Sequence, residues 1–331
     1  MCANQGNRSA RSAVAEFQTE KKTAMRDYIK IARPDHWLKN IFMLPGVFFA
    51  LIMTKTSIEG HLLNILLALV SLCLTASANY CINEYLDREF DKFHPRKKHR
   101  PSVSGRVLGK WVAVEYAILS AAGLLIASLI STQFFIMAAL LLLMGIIYNV
   151  QPFRSKDKIY LDVLSESLNN PIRLMMGWFV IDTTLLPPVS LIMAYWFGGA
   201  FLMAVKRYSE YRYINNPEKA GLYRASFKRY TEQSLLQSLF LYAMFTIFFL
   251  STYLIKYKIE FLIVLPFISG LFVKYLNIGM KADSAAQHPE KLYKERRLLG
   301  YVGFIFLLFI GLLYIQIPVL HLLLDTNLIP Y

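Results

Sequence analysis

The sequence predicts an all-α, polytopic membrane protein with about nine transmembrane helices in one bundle and a cytoplasmic N-terminus. Three observations carry this reading. The chain of 331 residues is 56% hydrophobic with a mean hydropathy of +0.40, against ~45–50% apolar content in soluble domains. Its apolar residues gather in runs near 41–54, 61–83, 112–130, 133–149, 160–181, 189–206, 235–255, 259–279 and 302–324. Most approach the ~20 residues a helix needs to cross ~30 Å of hydrocarbon; the first is short and the fifth unusually polar. Finally, 31 of the 36 Lys and Arg fall on one side of these runs, and only Lys55, Lys256 and Lys258 on the other. The positive-inside rule then places the basic loops in the cytoplasm and the C-terminus outside. The net charge of +14 is a topology signal, so no nucleic-acid partner is expected.

Residues 1–23 are polar, lack an apolar core of signal-peptide length, and read as a disordered cytoplasmic tail. Residues 24–331 read as one transmembrane domain. Within it, residues 24–40, AMRDYIKIARPDHWLKN, mix apolar and basic positions around Pro34 and predict a short helix in the headgroup region, anchored by Trp37. The three cysteines have no metal or disulfide spacing, and the six histidines form no HExxH pair. No period of 20–50 residues repeats clearly.

The second apolar run ends in NYCINEYLDREFDKFHPRKKHRP, residues 79–101. Asn79, Asn83, Asp87 and Asp91 recur every fourth residue, so on a helix they drift only ~40° per step and share one face. Their oxygens are hard ligands suited to Mg²⁺, which keeps some water and bridges to phosphate. Carboxylates at a helix C-terminus oppose the helix dipole, and polar groups beside a membrane span are costly. Both arguments favour a functional cluster over a solvated helix end. Glu84 and Glu89 are expected to point elsewhere, Glu84 in a surface contact with Arg88. Beyond the acids, Arg96, Lys97, Lys98 and Arg100, with His94 and His99, offer a basic cradle for phosphate.

The stretch from Asn83 through HPRKKHRP resembles the first motif of the UbiA superfamily of membrane-embedded transferases. The resemblance implies an all-helical nine-span fold, with Mg²⁺ and diphosphate bound at Asn83, Asp87 and Asp91. The sequence departs from the motif at Glu84, where Asp is usual. Two further stretches, RPDHWLKN (33–40) and Asp91 to Pro101, resemble the decaprenyl-phosphate phosphoribosyltransferase branch. At FLMAVKRYSEYR (201–212) the superfamily's prenyl-diphosphate enzymes carry a second DxxxD cluster, whereas this chain has Lys206, Arg207 and Glu210. Two cations there cannot recruit a second metal, but they can hold a phosphate. The fifth run is polar enough to face a cavity, and can stack Asp162, Glu166, Asn169 or Asn170, and Arg173 on one face. Tyr148, Lys158 and Asp162 resemble the superfamily's loop between spans four and five, and Arg173 with Gly177 the branch's span-five pattern. The insertion QPFRSK resembles the prenyltransferase form instead.

The expected activity is Mg²⁺-dependent transfer of 5-phosphoribose from 5-phosphoribosyl 1-diphosphate to a polyprenyl phosphate, with release of diphosphate, at the cytoplasmic face of a bacterial inner membrane. Asp87 and Asp91 serve the leaving group with Asn83. Lys39, Lys97 and Arg100 are candidates for the diphosphate or the lipid phosphate, and Lys206 and Arg207 for the 5-phosphate. Asp162 orients ribose hydroxyls, and Asn40, Tyr148, Lys158, Asn170, Arg173 and Glu210 complete the expected substrate contacts. The alternatives are a prenyltransferase that moves a polyprenyl group from its diphosphate to an aromatic or other acceptor, and a non-enzymatic lipid or solute carrier.

Overall fold

The computed structural model describes residues 25–324 apart from 95–96, 282–283, 288–291 and 293, so the expected tail 1–23 and Arg96 lie outside the described residues. Among these residues every regular element is helical. Helix α1 (25–31) precedes a 3-10 helix, Pro34–Met43, and α2 (Leu44–Thr54). There follow α3 (Leu62–Leu86), α4 (Arg88–Asp91), α5 (Gly109–Ile130), α6 (Thr132–Asn149), α7 (Leu161–Ser167) and α8 (Asn169–Ile181). The chain continues through α9 (Val189–Ile214), α10 (Pro217–Tyr223), α11 (Glu232–Tyr257), α12 (Leu265–Gly279), α13 (Arg296–Tyr314) and α14 (Pro318–Leu324).

Eight helical stretches among the described residues are long and apolar enough to cross a membrane. The ninth expected span, 160–181, is present as α7 and α8, which meet at Leu168. Pro171 explains the interruption: it has no N–H to donate to the Ser167 carbonyl, and its ring crowds that turn. The last span also differs from expectation. It runs over Arg296–Tyr314, Ile315 is extended (φ −96°, ψ 135°), and Pro318 opens a separate short helix.

Among the described residues the buried apolar side chains form four clusters, two of them large. One gathers Val47 and Ala50 of α2, Leu72 of α3, Phe134 and Leu141 of α6 and Met176 of α8. The other gathers Phe201, Val205 and Tyr208 of α9, Tyr223 of α10, Leu235 and Leu239 of α11 and Tyr275 of α12. Between them lies α8, buried from Pro171 to Leu174 and from Met176 to Ile181. Its approach to α2 is a backbone approach. A Cβ on Gly46 would lie 1.9 Å from the Leu174 carbonyl oxygen, and one on Gly177 would lie 2.1 Å from that of Met43. The outer surface is apolar, with Leu66, Leu129, Phe240, Phe248 and Leu307 exposed, as a lipid-facing surface requires. Charged side chains gather at one end, where α3, α6 and α9 finish and α7 begins.

Candidate active site

Helix α3 does not run straight into the acidic motif. Asp87 is a bend residue (φ −92°, ψ −2°) between α3 and the single turn of α4, so the acids fan out towards three partners. Asp87 Oδ1 lies 2.5 Å from Lys156 Nζ and 3.0 Å from Arg154 Nη2. Lys156 Nζ also donates to Asn149 Oδ1 at 2.7 Å, and Asn83 Nδ2 reaches the same oxygen at 2.5 Å. Asp91 is buried and accepts from Arg100 Nη1 at 2.6 Å. Burial opposes charge on Asp87, but Lys156, Arg224 and Arg154 outweigh it and hold the carboxyl below its usual range. Burial likewise opposes charge on Arg100, and Asp91 with Glu84 outweighs it, so its pKa rises. Burial lowers Lys156 to about 8.

The end of α9 is organised differently. Arg207 is fully buried. Its Nε donates to Asp162 at 3.0 Å, Nη2 to Glu166 at 2.7 Å, and Nη1 to Glu210 at 3.4 Å. The Tyr148 hydroxyl donates to Glu166 at 2.7 Å and accepts from Arg207 at 3.1 Å. Asp162 takes two further donors, Tyr230 Oη at 2.7 Å and Ser226 Oγ at 3.2 Å. Glu210 extends the group towards the acidic end, with Lys97 Nζ at 3.9 Å and Arg224 Nε at 4.0 Å. Lys97 also donates to the Tyr223 hydroxyl, and burial lowers it to about 8.

Two cations of this region stand apart. Arg173 donates to Asn40 Oδ1 and to the Asn169 carbonyl, each at 3.3 Å, and meets no carboxylate within 4 Å among the described residues. Lys206, half-buried, makes no hydrogen bond or ion pair among them either, although Glu166, Glu210 and Lys39 are within electrostatic reach.

Asn83, Asp87, Asp91, Lys97, Arg100, Tyr148, Asp162, Arg207 and Glu210 thus belong to one charged network, with Asn40, Arg173, Lys206 and Lys39 beside it. Lys158 is exposed and outside it. Asn170 packs on Gly199 of α9, where a Cβ would lie 2.1 Å from its Nδ2. Glu84 departs from expectation. It is buried, 3.7 Å from Arg100, and accepts from Ser102 at 3.3 Å. Arg88 turns instead onto the Tyr85 ring at 4.2 Å and towards Glu89 at 3.5 Å. The cause is the loop after α4, which folds back over α3 and brings Arg100 and Ser102 onto the Glu84 face. Arg154 and Lys156 were not picked out from sequence. The signal available was two basic residues inside QPFRSK, directly after the span whose end must lie near α3.

Among the described residues no three His, Cys, Asp or Glu side chains gather into a metal cage. The donors at the end of α3 are nonetheless all oxygens of carboxylates and amides. A positive nitrogen, Lys156 Nζ, already sits between Asp87 and Asn149. The position therefore accepts positive charge, and the donor chemistry fits a hard divalent ion that takes its other ligands from water and phosphate.

Over 222 residues the chain is 32% identical to the decaprenyl-phosphate phosphoribosyltransferase of Mycolicibacterium smegmatis, a match covering 65% of this chain and 65% of that one. The chain thus spans slightly less than two thirds of that relative's length. It is 28% identical over 213 residues to the protoheme IX farnesyltransferase of Alkalihalophilus pseudofirmus, covering 62% of this chain and 66% of the relative. Its fold superposes on a UbiA homolog from Archaeoglobus fulgidus, solved bound to DMAPP and Mg²⁺, with a TM-score of 0.65 at 20% identity over 85% of this chain and 98% of that one. Residues 42–292 match the UbiA prenyltransferase family, and eight helices among the described residues are long and apolar enough to cross a membrane: the protein is an integral membrane protein that belongs to the UbiA family.

Proposed function

We propose that the protein transfers 5-phosphoribose from 5-phosphoribosyl 1-diphosphate to a polyprenyl phosphate and releases diphosphate, with the basic end of the bundle in the cytoplasm of a bacterial cell. The observation that carries this reading is the end of α9. There, one arginine is engaged by three carboxylates, while Lys206 and Arg173 meet no carboxylate within 4 Å among the described residues. A donor with a diphosphate at one end and a phosphate at the other needs one metal-assisted position and one cationic position. In this reading Lys206 and Arg173 take the 5-phosphate. Arg207, which sequence reasoning gave that role, holds Asp162, Glu166 and Glu210 in place.

Asn83, Asp87 and Asp91 would hold Mg²⁺ against the diphosphate. Bound there, the ion supplies charge neutralisation for the leaving group. Arg154, Lys156 and Arg100 hold the acids in their ionised, inward-facing form and present cations to the diphosphate oxygens. The C1–O bond to diphosphate breaks as positive charge builds on the ribose carbon, and an anionic oxygen of the lipid phosphate forms the new bond to C1. No proton leaves the acceptor, so the chemistry needs no general base.

A second reading, prenyl transfer from a polyprenyl diphosphate, is favoured by one observation. The insertion typical of that form supplies the two cations that meet Asp87. The test is direct. Purified protein with Mg²⁺, labelled phosphoribosyl diphosphate and polyprenyl phosphate is expected to give a labelled lipid. Lys206→Met is expected to raise KM for phosphoribosyl diphosphate about tenfold, the worth of one charge-assisted hydrogen bond. Consumption of a polyprenyl diphosphate, with no labelled lipid, would overturn the proposal.

A further inference from the structure

The steps above leave Arg224 without a ligand, although it stands where both charged regions can reach it. It is the extended residue (φ −140°, ψ 118°) between α10 and the 3-10 turn Ala225–Lys228. Its neighbours fix it there. Tyr223 and Phe227 are buried on either side of it in sequence, and its backbone N–H donates to the Ala220 carbonyl at 2.9 Å. Its Cζ lies 5.7 Å from the centre of the Tyr223 ring and 5.8 Å from that of Phe227, within the range at which an aromatic face attracts a cation. Asp87 at the end of α3, Asp162 and Glu166 of α7, and Glu210 of α9 are all within its electrostatic reach.

The guanidinium is short of acceptors. Its side chain is 15% accessible, yet Nε is buried and has no hydrogen-bond partner. Its ion pair with Glu210 Oε2 measures 4.0 Å, beyond hydrogen-bond length. The side chain makes no other ion pair and no hydrogen bond among the described residues. A guanidinium carries five N–H donors in a planar fork, and buried donors left unmet are costly and rare in native folds.

Neutralising the acids does not account for it. Arg207 already meets Asp162 at 3.0 Å, Glu166 at 2.7 Å and Glu210 at 3.4 Å, and Lys97 flanks Glu210 at 3.9 Å. Asp87 has Lys156 at 2.5 Å and Arg154 at 3.0 Å. Every acid in reach of Arg224 thus has a nearer cation. A fork fixed between aromatic rings, short of acceptors and set between two charged regions suits an anion with several oxygens. Phosphoryl groups match such a fork two oxygens at a time.

We propose that Arg224 is a further catalytic residue, which binds the diphosphate of the donor from the α10 side of the site and holds the charge that collects on it during transfer. As the C1–O bond breaks, its electron pair passes to the diphosphate oxygen, and an oxygen of the lipid phosphate supplies the pair for the new bond. The guanidinium donates hydrogen bonds to the departing group throughout and gives up no proton. A donor aimed at charge that grows in the transition state acts on kcat more than on ground-state binding. The assignment rests on the phosphoribosyl-transfer reading for the identity of the donor, but the part of it that Arg224 recognises is the diphosphate alone.

The full chain in nanodiscs with Mg²⁺ is titrated by calorimetry with inorganic diphosphate and, separately, with ribose 5-phosphate. Turnover is measured in parallel with both substrates varied. Arg224→Gln is expected to weaken inorganic diphosphate binding about tenfold and to lower kcat about a hundredfold, with ribose 5-phosphate binding unchanged. Arg224→Lys keeps the charge without the fork and recovers part of both losses. The melting temperature of Arg224→Gln should stay near that of the wild type, because Glu210 keeps Arg207 and Lys97. Should it fall, Arg224→Lys decides: a diphosphate affinity several-fold below the wild type, with ribose 5-phosphate unaffected, supports the assignment, and wild-type affinity overturns it. Unchanged diphosphate binding in Arg224→Gln, or an equal loss for ribose 5-phosphate, overturns it as well. If the wild type makes no labelled lipid but Arg224→Gln still loses inorganic diphosphate, Arg224 keeps its ligand and the phosphoribosyl reading falls; the loss of turnover is then read with a polyprenyl diphosphate.

Discussion

The end of α3 and the end of α9 carry similar numbers of charges in opposite arrangements. At α3 the acids meet cations from the segments between the long helices: Arg154 and Lys156, before α7, at Asp87, and Arg100, after α4, at Asp91 and Glu84. Asp87 keeps 21% of its side chain accessible. At α9 one guanidinium draws together carboxylates from three places on two helices, α7 and α9, and its own side chain is 1% accessible. Pairs built from loops at a partly open edge can exchange a protein cation for a ligand. A buried hub cannot give up its arginine without stranding several negative charges. The difference separates a binding edge from a fixed frame, although the sequence marks both merely as clusters of charge.

The largest expected effect tests the frame. Arg207→Met leaves Asp162, Glu166 and Glu210 without their shared counter-ion, a loss of about 3–5 kcal/mol for a buried charge stripped of its partner. Thermal unfolding in detergent should show a marked fall in melting temperature. An unchanged melting temperature with lost affinity for phosphoribosyl diphosphate would break the comparison, because Arg207 would then be a ligand like Lys206.

The edge is tested by Asp87→Asn. The substitution keeps the shape and removes the charge that faces Lys156 and Arg154, which keep Asn149 Oδ1 and Asp157 as partners. Mg²⁺-dependent turnover should fall by about a hundredfold or more, beyond the ~10–100-fold typical of residues one shell further from a metal, while the melting temperature shifts little. Full activity in this variant would remove the metal role assigned to α3.

What the sequence reveals of these two regions follows from how local each one is. Asn83, Asp87 and Asp91 stand out in the sequence by their four-residue spacing, but the single helix face expected from it is broken at Asp87, between α3 and α4. The helical spans were legible because hydrocarbon sets their length. Glu84 was misread because its partner, Arg100, lies sixteen residues further on and reaches it through a loop reversal that no periodicity encodes. Lys156 escaped notice for the same reason, its partner being on another helix. The role of Arg207 depends on α7, whose break from α8 at Leu168 lets Asp162 and Glu166 turn towards α9. Charge type and spacing survive in the sequence, but which opposite charge answers them is decided by loops and helix breaks.

The smallest effect expected sharpens the boundary between edge and frame, because Lys97 touches both. Burial lowers Lys97 to about 8, from an ordinary value of 10.5. Between those two pH values the unfolded chain still holds the proton that the folded protein has released. Stability from this group therefore rises with pH across that window, and below about 8 the fold carries the cost of burying an ammonium. Affinity runs the other way: an ammonium that attracts phosphate is lost as pH passes about 8. Binding of phosphoribosyl diphosphate should weaken several-fold from neutral pH to one unit above that value. Lys156, also lowered to about 8, shares this limb. Lys97→Met should therefore bind less tightly at neutral pH and show a shallower fall, with no gain in melting temperature at high pH. If its pH profile of binding matches that of the wild type, Lys97 answers Glu210 and Tyr223 alone, and belongs with the frame.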